Sequence, residues 1–392
     1  MRNEKTKDIK QLDGEKIVRT YSRFDLVLKE GKGAMATDED GNQLVDFTSG
    51  IGVTALGYCD DDWVKAVANQ AATLQHTSNL YYTEPQVRLA DTLTWRTGMQ
   101  KVFFANSGAE ANECAIKAAR KYGNARSNNT CHDIITLENS FHGRTMATIT
   151  ATGQQVFHKD FFPFAEGFRY CKANDTNGLQ RLVDENVCAI MLELVQGEGG
   201  VLVMDKDFVR QAAAICKEND LLLIIDEVQT GIGRTGTLFC YEQFGIEPDM
   251  VTFAKGIGGG LPLGGTLFNE KTADILTAGD HGTTFGGNPV ACAGGNVIME
   301  KVDDALLQQV KEKGAYIRSF LEALPAVKDV SGLGLMIGFR VDDIEASQVV
   351  KQAISAGLMM LTAKDKVRLL PPLTITKEEL DRGLAILKKV IS

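Results

Sequence analysis

Short apolar runs of strand length, separated by longer stretches of helical periodicity, constrain the fold of this chain more than any other feature. They are Lys101-Val-Phe-Phe-Ala, Asp133-Ile-Ile-Thr-Leu, Ala189-Ile-Met-Leu-Glu-Leu, Leu221 to Ile225, Met250 to Ala254 and Gly265-Thr-Leu-Phe. Continuous apolar runs suit strands covered on both faces, and their alternation with helices builds a mainly parallel sheet flanked by helices. Between them, Asp207-Phe-Val-Arg-Gln-Ala-Ala-Ala-Ile-Cys-Lys reads as an amphipathic crossover helix ending near Asn219. This α/β domain is expected over residues 53–286.

Beyond residue 286 the pattern changes. A helix-like stretch from Ala291 to Leu324 precedes Val330-Ser-Gly-Leu-Gly-Leu-Met-Ile-Gly-Phe-Arg-Val and two further helical stretches. Near the other end, the segment from Gly31 to Phe47 reads as a hairpin turning at Asp40-Gly41. Residues 1–52 and 287–392 are therefore expected to form one smaller α+β domain from both chain ends, and 392 residues suffice for two domains of about 100 to 200 residues each.

The net charge of -9 argues against non-specific binding to nucleic acid or an anionic membrane. No apolar run approaches the roughly 18 residues of a membrane span. The start, MRNEKTKDIKQLDGEK, lacks the apolar stretch of a signal peptide and carries acidic residues foreign to a transit peptide. Eight cysteines are scattered with no C-x-x-C pair and no nearby histidine cluster, which points to neither a zinc site nor a disulfide framework. A cytoplasmic enzyme with no metal is the expectation.

Lys255 follows the run Met250 to Ala254, and Asp226 follows Leu221 to Ile225. Ligands of open α/β sheets bind outside the carboxyl ends of the strands, so amine and carboxylate would face one cleft. That pairing suits pyridoxal phosphate: the lysine would hold the aldehyde as a Schiff base, and the aspartate would keep the pyridine nitrogen protonated. A surface lysine after a strand would read the same way, so the neighbouring segments decide.

Those segments add four features. At Asn106-Ser107-Gly108 a strand turns into an alanine-rich helix, whose N-terminus favours an anion; Ser107 can add a hydroxyl, and either Asn or Ser can equally be a plain cap. Ser140-Phe141-His142-Gly143-Arg144-Thr145 offers an aromatic ring to stack on a flat cofactor and a guanidinium to fork a substrate carboxylate, with His142 as a packing or ring-positioning residue. Glu193-Leu-Val-Gln196-Gly-Glu198-Gly-Gly supplies two carboxylates on a glycine turn. Asp226-Glu-Val-Gln229 places an acid and an amide about one helical turn apart.

In order along the chain, Ser107-Gly-Ala-Glu-Ala-Asn, Ser140-Phe-His-Gly-Arg-Thr, Glu193-x-x-Gln-Gly-Glu-Gly-Gly, Asp226-Glu-Val-Gln-Thr-Gly-x-Gly-Arg-Thr-Gly, Lys255-Gly and Thr283-Thr-Phe-Gly-Gly-Asn-Pro resemble the class III aminotransferases of the acetylornithine type. The resemblance extends from Phe47-Thr-Ser-Gly-Ile to Arg368-Leu-Leu-Pro-Pro-Leu. It implies fold type I, with a seven-stranded sheet, and a homodimer with active sites at the subunit interface. It also implies pyridoxal 5'-phosphate as cofactor, and arginine biosynthesis as the setting. By the same resemblance, Gly108 and Ala109 bind the phosphate, Phe141 stacks on the ring, Asp226 pairs with the pyridine nitrogen and Gln229 meets the ring hydroxyl, with Glu227 and Val228 among the cofactor contacts. Lys255 carries the aldehyde, Thr284 is a phosphate ligand donated by the partner subunit, and Thr283 contacts substrate.

The implied reaction moves the terminal amino group of N-acetylornithine to 2-oxoglutarate by a ping-pong route. Arg144 would hold the distant carboxylate of either substrate and Arg368 the carboxylate beside the reacting carbon of 2-oxoglutarate. Glu198 would cover Arg368 when no carboxylate reaches it, because an unpaired buried charge is costly. Ile51 stands where ornithine aminotransferases carry a tyrosine and acetylornithine enzymes an isoleucine; Asn79-Leu-Tyr-Tyr-Thr-Glu-Pro-Gln is also acetylornithine-like. Two departures, Tyr58-Cys-Asp-Asp for His-x-His-Pro and Thr54 for asparagine, lie near Ile51. They leave N-succinylornithine, N-succinyl-diaminopimelate, ornithine and 4-aminobutyrate open as donors. A same-fold aminomutase and a non-catalytic binding module are the other classes weighed.

Overall fold

The computed structural model describes residues 4–127 and 129–392. Its centre is a seven-stranded sheet in the order Lys101–Ala105, Gly264–Phe268, Met250–Phe253, Leu222–Asp226, Val187–Leu192, Asp133–Leu137, Phe168–Cys171. All neighbours run parallel except Gly264–Phe268, which is antiparallel to both strands beside it. The sheet is therefore mainly parallel, as expected for fold type I.

Successive side chains of a strand point to opposite faces, and here both faces are covered. Ile134, Met191, Leu222, Ile224 and Met250 pack into a cluster with Cys114, Ala115 and Ala118 of the helix Gly108–Ser127. Their neighbours Ile135, Ile190, Leu192, Leu223, Ile225 and Val251 pack into the main core with Phe208, Val209, Ala212 and Ile215 of the helix Lys206–Glu218. Two-sided burial is why these strands read as unbroken apolar runs. Phe168–Cys171 was not foreseen: it is an edge strand, partly buried, with Arg169 paired to Asp133 and Asp184.

Three strands near the start, Leu28–Lys32, Met35–Asp38 and Gln43–Asp46, form a meander, with the expected turn at 39–42. Leu358–Met359 adds to it parallel to Gln43–Asp46 and so ties the two chain ends together. A second four-stranded sheet, Val327–Leu333, Met336–Val341, Lys366–Leu369 and Leu361–Ala363, is antiparallel throughout. The helical stretch expected from Ala291 to Leu324 is two helices, Pro289–Lys301 and Asp304–Glu322, the second capped by Asp303 accepting from the Leu306 amide. The first of them lies beyond residue 286 yet packs on the helices Asp61–Thr73 and Glu84–Thr97, within the span expected for the larger domain. Arg96 donates to the Met299 carbonyl, Asn296 to the Pro85 carbonyl, and Lys301 pairs with Asp60. No helix of the described residues is long and apolar enough to cross a membrane.

Candidate active site

The parallel strands direct their carboxyl ends to one rim of the sheet, where a cavity of about 500 Å³ opens. Ser107, Gly108, Ala109, Phe141, Arg144, Asp226, Val228, Gln229 and Lys255 all line it, joined by Asn112, His142 and Glu193. Strand register explains the gathering. Asp226 lies opposite Thr252 in the next strand, so Lys255 emerges three residues further along the same rim. Leu192 lies opposite Ile225, which brings Glu193 beside Asp226.

Asp226 is buried and its carboxylate is held on every side. Oδ2 accepts from Asn112 Nδ2 at 2.8 Å and lies 2.8 Å from His142 Nδ1, while Oδ1 accepts from the Val228 amide at 3.0 Å. His142 is in turn fixed by its amide, which donates to Thr152 Oγ1 at 2.9 Å, leaving Nε2 buried with no partner among the described residues. Phe141 is set by its own amide donating to Glu193 Oε2 at 2.8 Å. Burial, and then the negative charge of Asp226, push the Glu193 carboxyl well above the usual carboxylate range.

Lys255 is in the left-handed region at φ 51°, a conformation costly for a residue with a side chain and characteristic of sites where geometry serves function. Burial lowers its amine pKa from the ordinary 10.5, opposed by Glu198 and reinforced by Arg368. The amine is thus closer to its neutral, nucleophilic form than a surface lysine.

At the helix start, Ser107 Oγ accepts from the Glu110 amide and Glu110 returns a carboxylate to the Asn106 amide. This local cap engages Ser107 Oγ, and Gly108 and Ala109, which open the helix, line the cavity. A Cβ on Gly108 would sit 2.6 Å from Val228 Cγ1, so glycine is what lets the cradle close on the Asp226 segment.

Arg368 is buried, and its Nη1 donates to Glu198 Oε1 at 2.6 Å and to Gln229 Oε1 at 3.1 Å. Its Nε has no partner among the described residues. A Cβ on Gly197 would lie 2.3 Å from Gln229 Oε1, so this glycine allows Glu198 and Gln229 to converge on one guanidinium. Arg144 differs: it is exposed, with its guanidinium over Phe157 at 4.0 Å from the ring centroid and no acid within ion-pair distance among the described residues.

Six expected positions do not line the cavity: Arg368 and Glu198 lie behind its wall, joined to it through Gln229, and Thr283, Glu227, Thr284 and Ile51 lie at its edge or away from it. Glu227 turns away from it, its carboxylate accepting from Thr230 Oγ1 and the Tyr241 amide, because successive residues after the strand face opposite sides. Thr284 is exposed on the turn that follows Thr283, whose hydroxyl accepts from Asn106 at the cavity's edge. Ile51 is 42% exposed in a left-handed turn, at φ 68°. The two departures near Ile51 have structural jobs. Tyr58 packs against Gly31, Asp60 caps the helix Asp61–Thr73, and Thr54 is half-buried with its Oγ1 enclosed; none of them lines the cavity. Asn112 and Glu193 were not among the expected site residues. Asn112 had a readable signal, since it lies four residues after Gly108 on the same face of the helix.

Residues 17–391 match the family model for aminotransferase class-III. The acetylornithine aminotransferase of Haemophilus ducreyi is 53% identical over 386 residues, 98% of each chain. Among solved structures, an ornithine aminotransferase from Toxoplasma gondii with pyridoxal phosphate partly occupying its active site superposes with a TM-score of 0.93 at 30% identity, over 98% of this chain and 94% of that one. The N-acetylornithine aminotransferase of Stenotrophomonas maltophilia gives 0.83 at 35% identity, over 97% and 98%. Sequence agreement that extends over nearly the full length, and not likeness of fold alone, decides the matter: the chain belongs to the class III aminotransferases.

Proposed function

We propose that this protein transfers the terminal amino group of N2-acetyl-L-ornithine to 2-oxoglutarate, giving N-acetylglutamate 5-semialdehyde and glutamate in two successive half-reactions. Class III aminotransferases depend on pyridoxal 5'-phosphate, which when bound supplies an aldehyde that links to amines and a ring that draws electrons from the carbon bearing the nitrogen. The residues of the cavity fit that group. The Gly108 and Ala109 amides would take the phosphate, Phe141 offers an aromatic face, and Val228 and Gln229 border the ring site. Asp226, braced by Asn112 and His142, would hold a proton on the ring nitrogen. Lys255 would carry the aldehyde.

The protein's own part is positioning and proton transfer. Lys255 Nζ, whose charged form burial disfavours, takes the proton from the carbon that bears the donor nitrogen. Arg144 holds the distant carboxylate of each substrate. The observation that carries the two-substrate reading is the Glu198–Arg368 contact. With Glu198 in place the inner guanidinium is neutralised and suits a donor whose reacting carbon bears no carboxylate; 2-oxoglutarate displaces Glu198 and pairs with Arg368 itself.

N-Acetylornithine is favoured as donor by the 53% identity to an acetylornithine enzyme and by Ile51. Backbone likeness is greater to the ornithine enzyme, but it reports the scaffold and not the pocket. A homodimer completes the site in this reading. Leu80, Tyr81, Tyr82 and Phe285 are strongly exposed, and Asn79 bonds the Gly286 carbonyl, so an apolar patch surrounds Thr284 where a partner's phosphate site would meet it. We place the enzyme in the cytoplasm, in arginine biosynthesis. The test mixes cofactor-loaded protein separately with N-acetylornithine, N-succinylornithine, ornithine and 4-aminobutyrate, following loss of the visible absorbance of the lysine-linked cofactor. N-Acetylornithine should react fastest; a faster reaction with any of the others overturns the donor assignment.

A further inference from the structure

We infer that Phe157 is a positioning residue for substrate recognition, an aromatic shelf that holds the Arg144 guanidinium in place while leaving its hydrogen-bond donors free. The inference rests on the reading of Arg144 as the clamp for the distant carboxylate. The other expected clamp, Arg368, is held by an acid, Glu198. Arg144 is held by rings. Its guanidinium carbon lies 4.0 Å from the Phe157 centroid and 5.5 Å from that of Phe141, and the two rings meet edge to face at 5.8 Å.

The difference matters chemically. A carboxylate partner would occupy the in-plane N–H donors of the guanidinium and would have to be displaced by every substrate. An aromatic face attracts the cation through its quadrupole and consumes none of those donors. Arg144 is therefore oriented without being neutralised, the opposite arrangement to the covered Arg368. One clamp is open to both substrates and the other only to the one that can displace Glu198.

Phe157 does not line the cavity, so it acts through Arg144. Its place is set by backbone contacts to the loop that bears Phe141 and Arg144. The Phe157 amide donates to the Gln154 carbonyl at 3.0 Å, and Gln154 Nε2 donates to the Ser140 carbonyl at 3.0 Å. The Asn139 amide donates to the Gly153 carbonyl at 2.8 Å, and His158 Nε2 lies 2.9 Å from the Ile149 carbonyl. Shelf and clamp thus move as one piece.

The test compares the cofactor-loaded wild type with Phe157→Leu, which keeps an apolar side chain but removes the ring, Phe157→Tyr, which keeps it, and Arg144→Ala. Half-reactions are followed with N-acetylornithine, 2-oxoglutarate and an alkyl amine without a carboxylate. Phe157→Leu should raise KM for both carboxylate substrates by roughly two- to five-fold, the size of an exposed cation–π contact, with little change in kcat. The alkyl amine should be unaffected, and Phe157→Tyr should restore the wild-type KM. Equal effects on the alkyl amine, or no effect of Phe157→Leu while Arg144→Ala raises KM, would overturn the shelf and leave the clamp standing. An Arg144→Ala variant with unchanged KM would instead overturn the clamp.

Discussion

Replacing Glu198 by alanine should convert a discriminating site into one that favours α-carboxylates. In the proposed reaction the carboxylate beside the reacting carbon of 2-oxoglutarate would reach Arg368 only by displacing Glu198, 2.6 Å away. A hydrogen bond to a charged group is worth about 1.5–3 kcal/mol, and the Glu198 side chain is 32% exposed, so solvent takes part of that. A remaining value of about 1–2 kcal/mol corresponds to roughly five- to thirty-fold. The ratio of glutamate to N-acetylornithine as amino donor, measured as kcat/KM in separated half-reactions, should rise by that factor. Arg368 would then keep only Gln229, at 3.1 Å, and its melting temperature should fall because a buried guanidinium has lost its charge partner. An unchanged donor ratio would refute the cover, whatever happened to stability.

Two further outcomes follow from buried groups near the site. Burial raises the Glu227 carboxyl from 4.5 to about 7, so the folded state binds more protons than the unfolded one between those values, and stability falls as pH rises through that window. The penalty at pH 8 is on the order of 3 kcal/mol. Glu227→Gln, which keeps both hydrogen-bonding positions, should therefore be more stable than wild type at pH 8 and similar near pH 4.5; parallel pH profiles of the denaturant midpoint would contradict this. Gly108→Ala places a Cβ 2.6 Å from Val228 Cγ1, and such overpacking costs about 1–3 kcal/mol. If that cost falls on the cofactor-bound state, equilibrium dialysis should show pyridoxal phosphate bound at least roughly fivefold more weakly. Equal affinity would mean that the cradle does not depend on this close approach.

Sequence patterns revealed elements whose burial is continuous and site residues that lie just after them. The runs ending near Leu137, Leu192, Asp226 and Phe253 are covered on both faces, so their composition alone marks them as strands; Lys101–Ala105, at one edge, is legible because Val-Phe-Phe-Ala stays apolar. Phe168–Cys171 escaped because an edge strand carries polar side chains, here Arg169, that pair across its margin. The antiparallel direction of Gly264–Phe268 was equally hidden, since an apolar run does not encode its direction. The affiliation of Pro289–Lys301 depends on contacts with helices some two hundred positions earlier, which periodicity does not report.

The site divides in the same way. Lys255, Asp226, Phe141 and Arg144 are type-specific residues in ordered motifs and reach the cavity as expected. Glu227 lies beside Asp226 in sequence, yet the alternation of the strand sends it to Thr230 and Tyr241. Asn112 looks like an ordinary helix residue until tertiary packing sets it against Asp226, and Glu193, noticed as a carboxylate on the glycine turn, has a partner in the Phe141 amide that only the fold reveals.

The central claim is that Lys255 mediates movement of an amino group from a terminal amine to 2-oxoglutarate in two separable halves. It is tested most directly with N-acetylornithine labelled with nitrogen-15 at its terminal amine, given first to the cofactor-loaded enzyme alone and then chased with unlabelled 2-oxoglutarate. The account predicts release of the aldehyde product in the first step, labelled glutamate in the second, and neither with Lys255→Ala. Label released as ammonia, or labelled glutamate formed at an undiminished rate by Lys255→Ala, would contradict it.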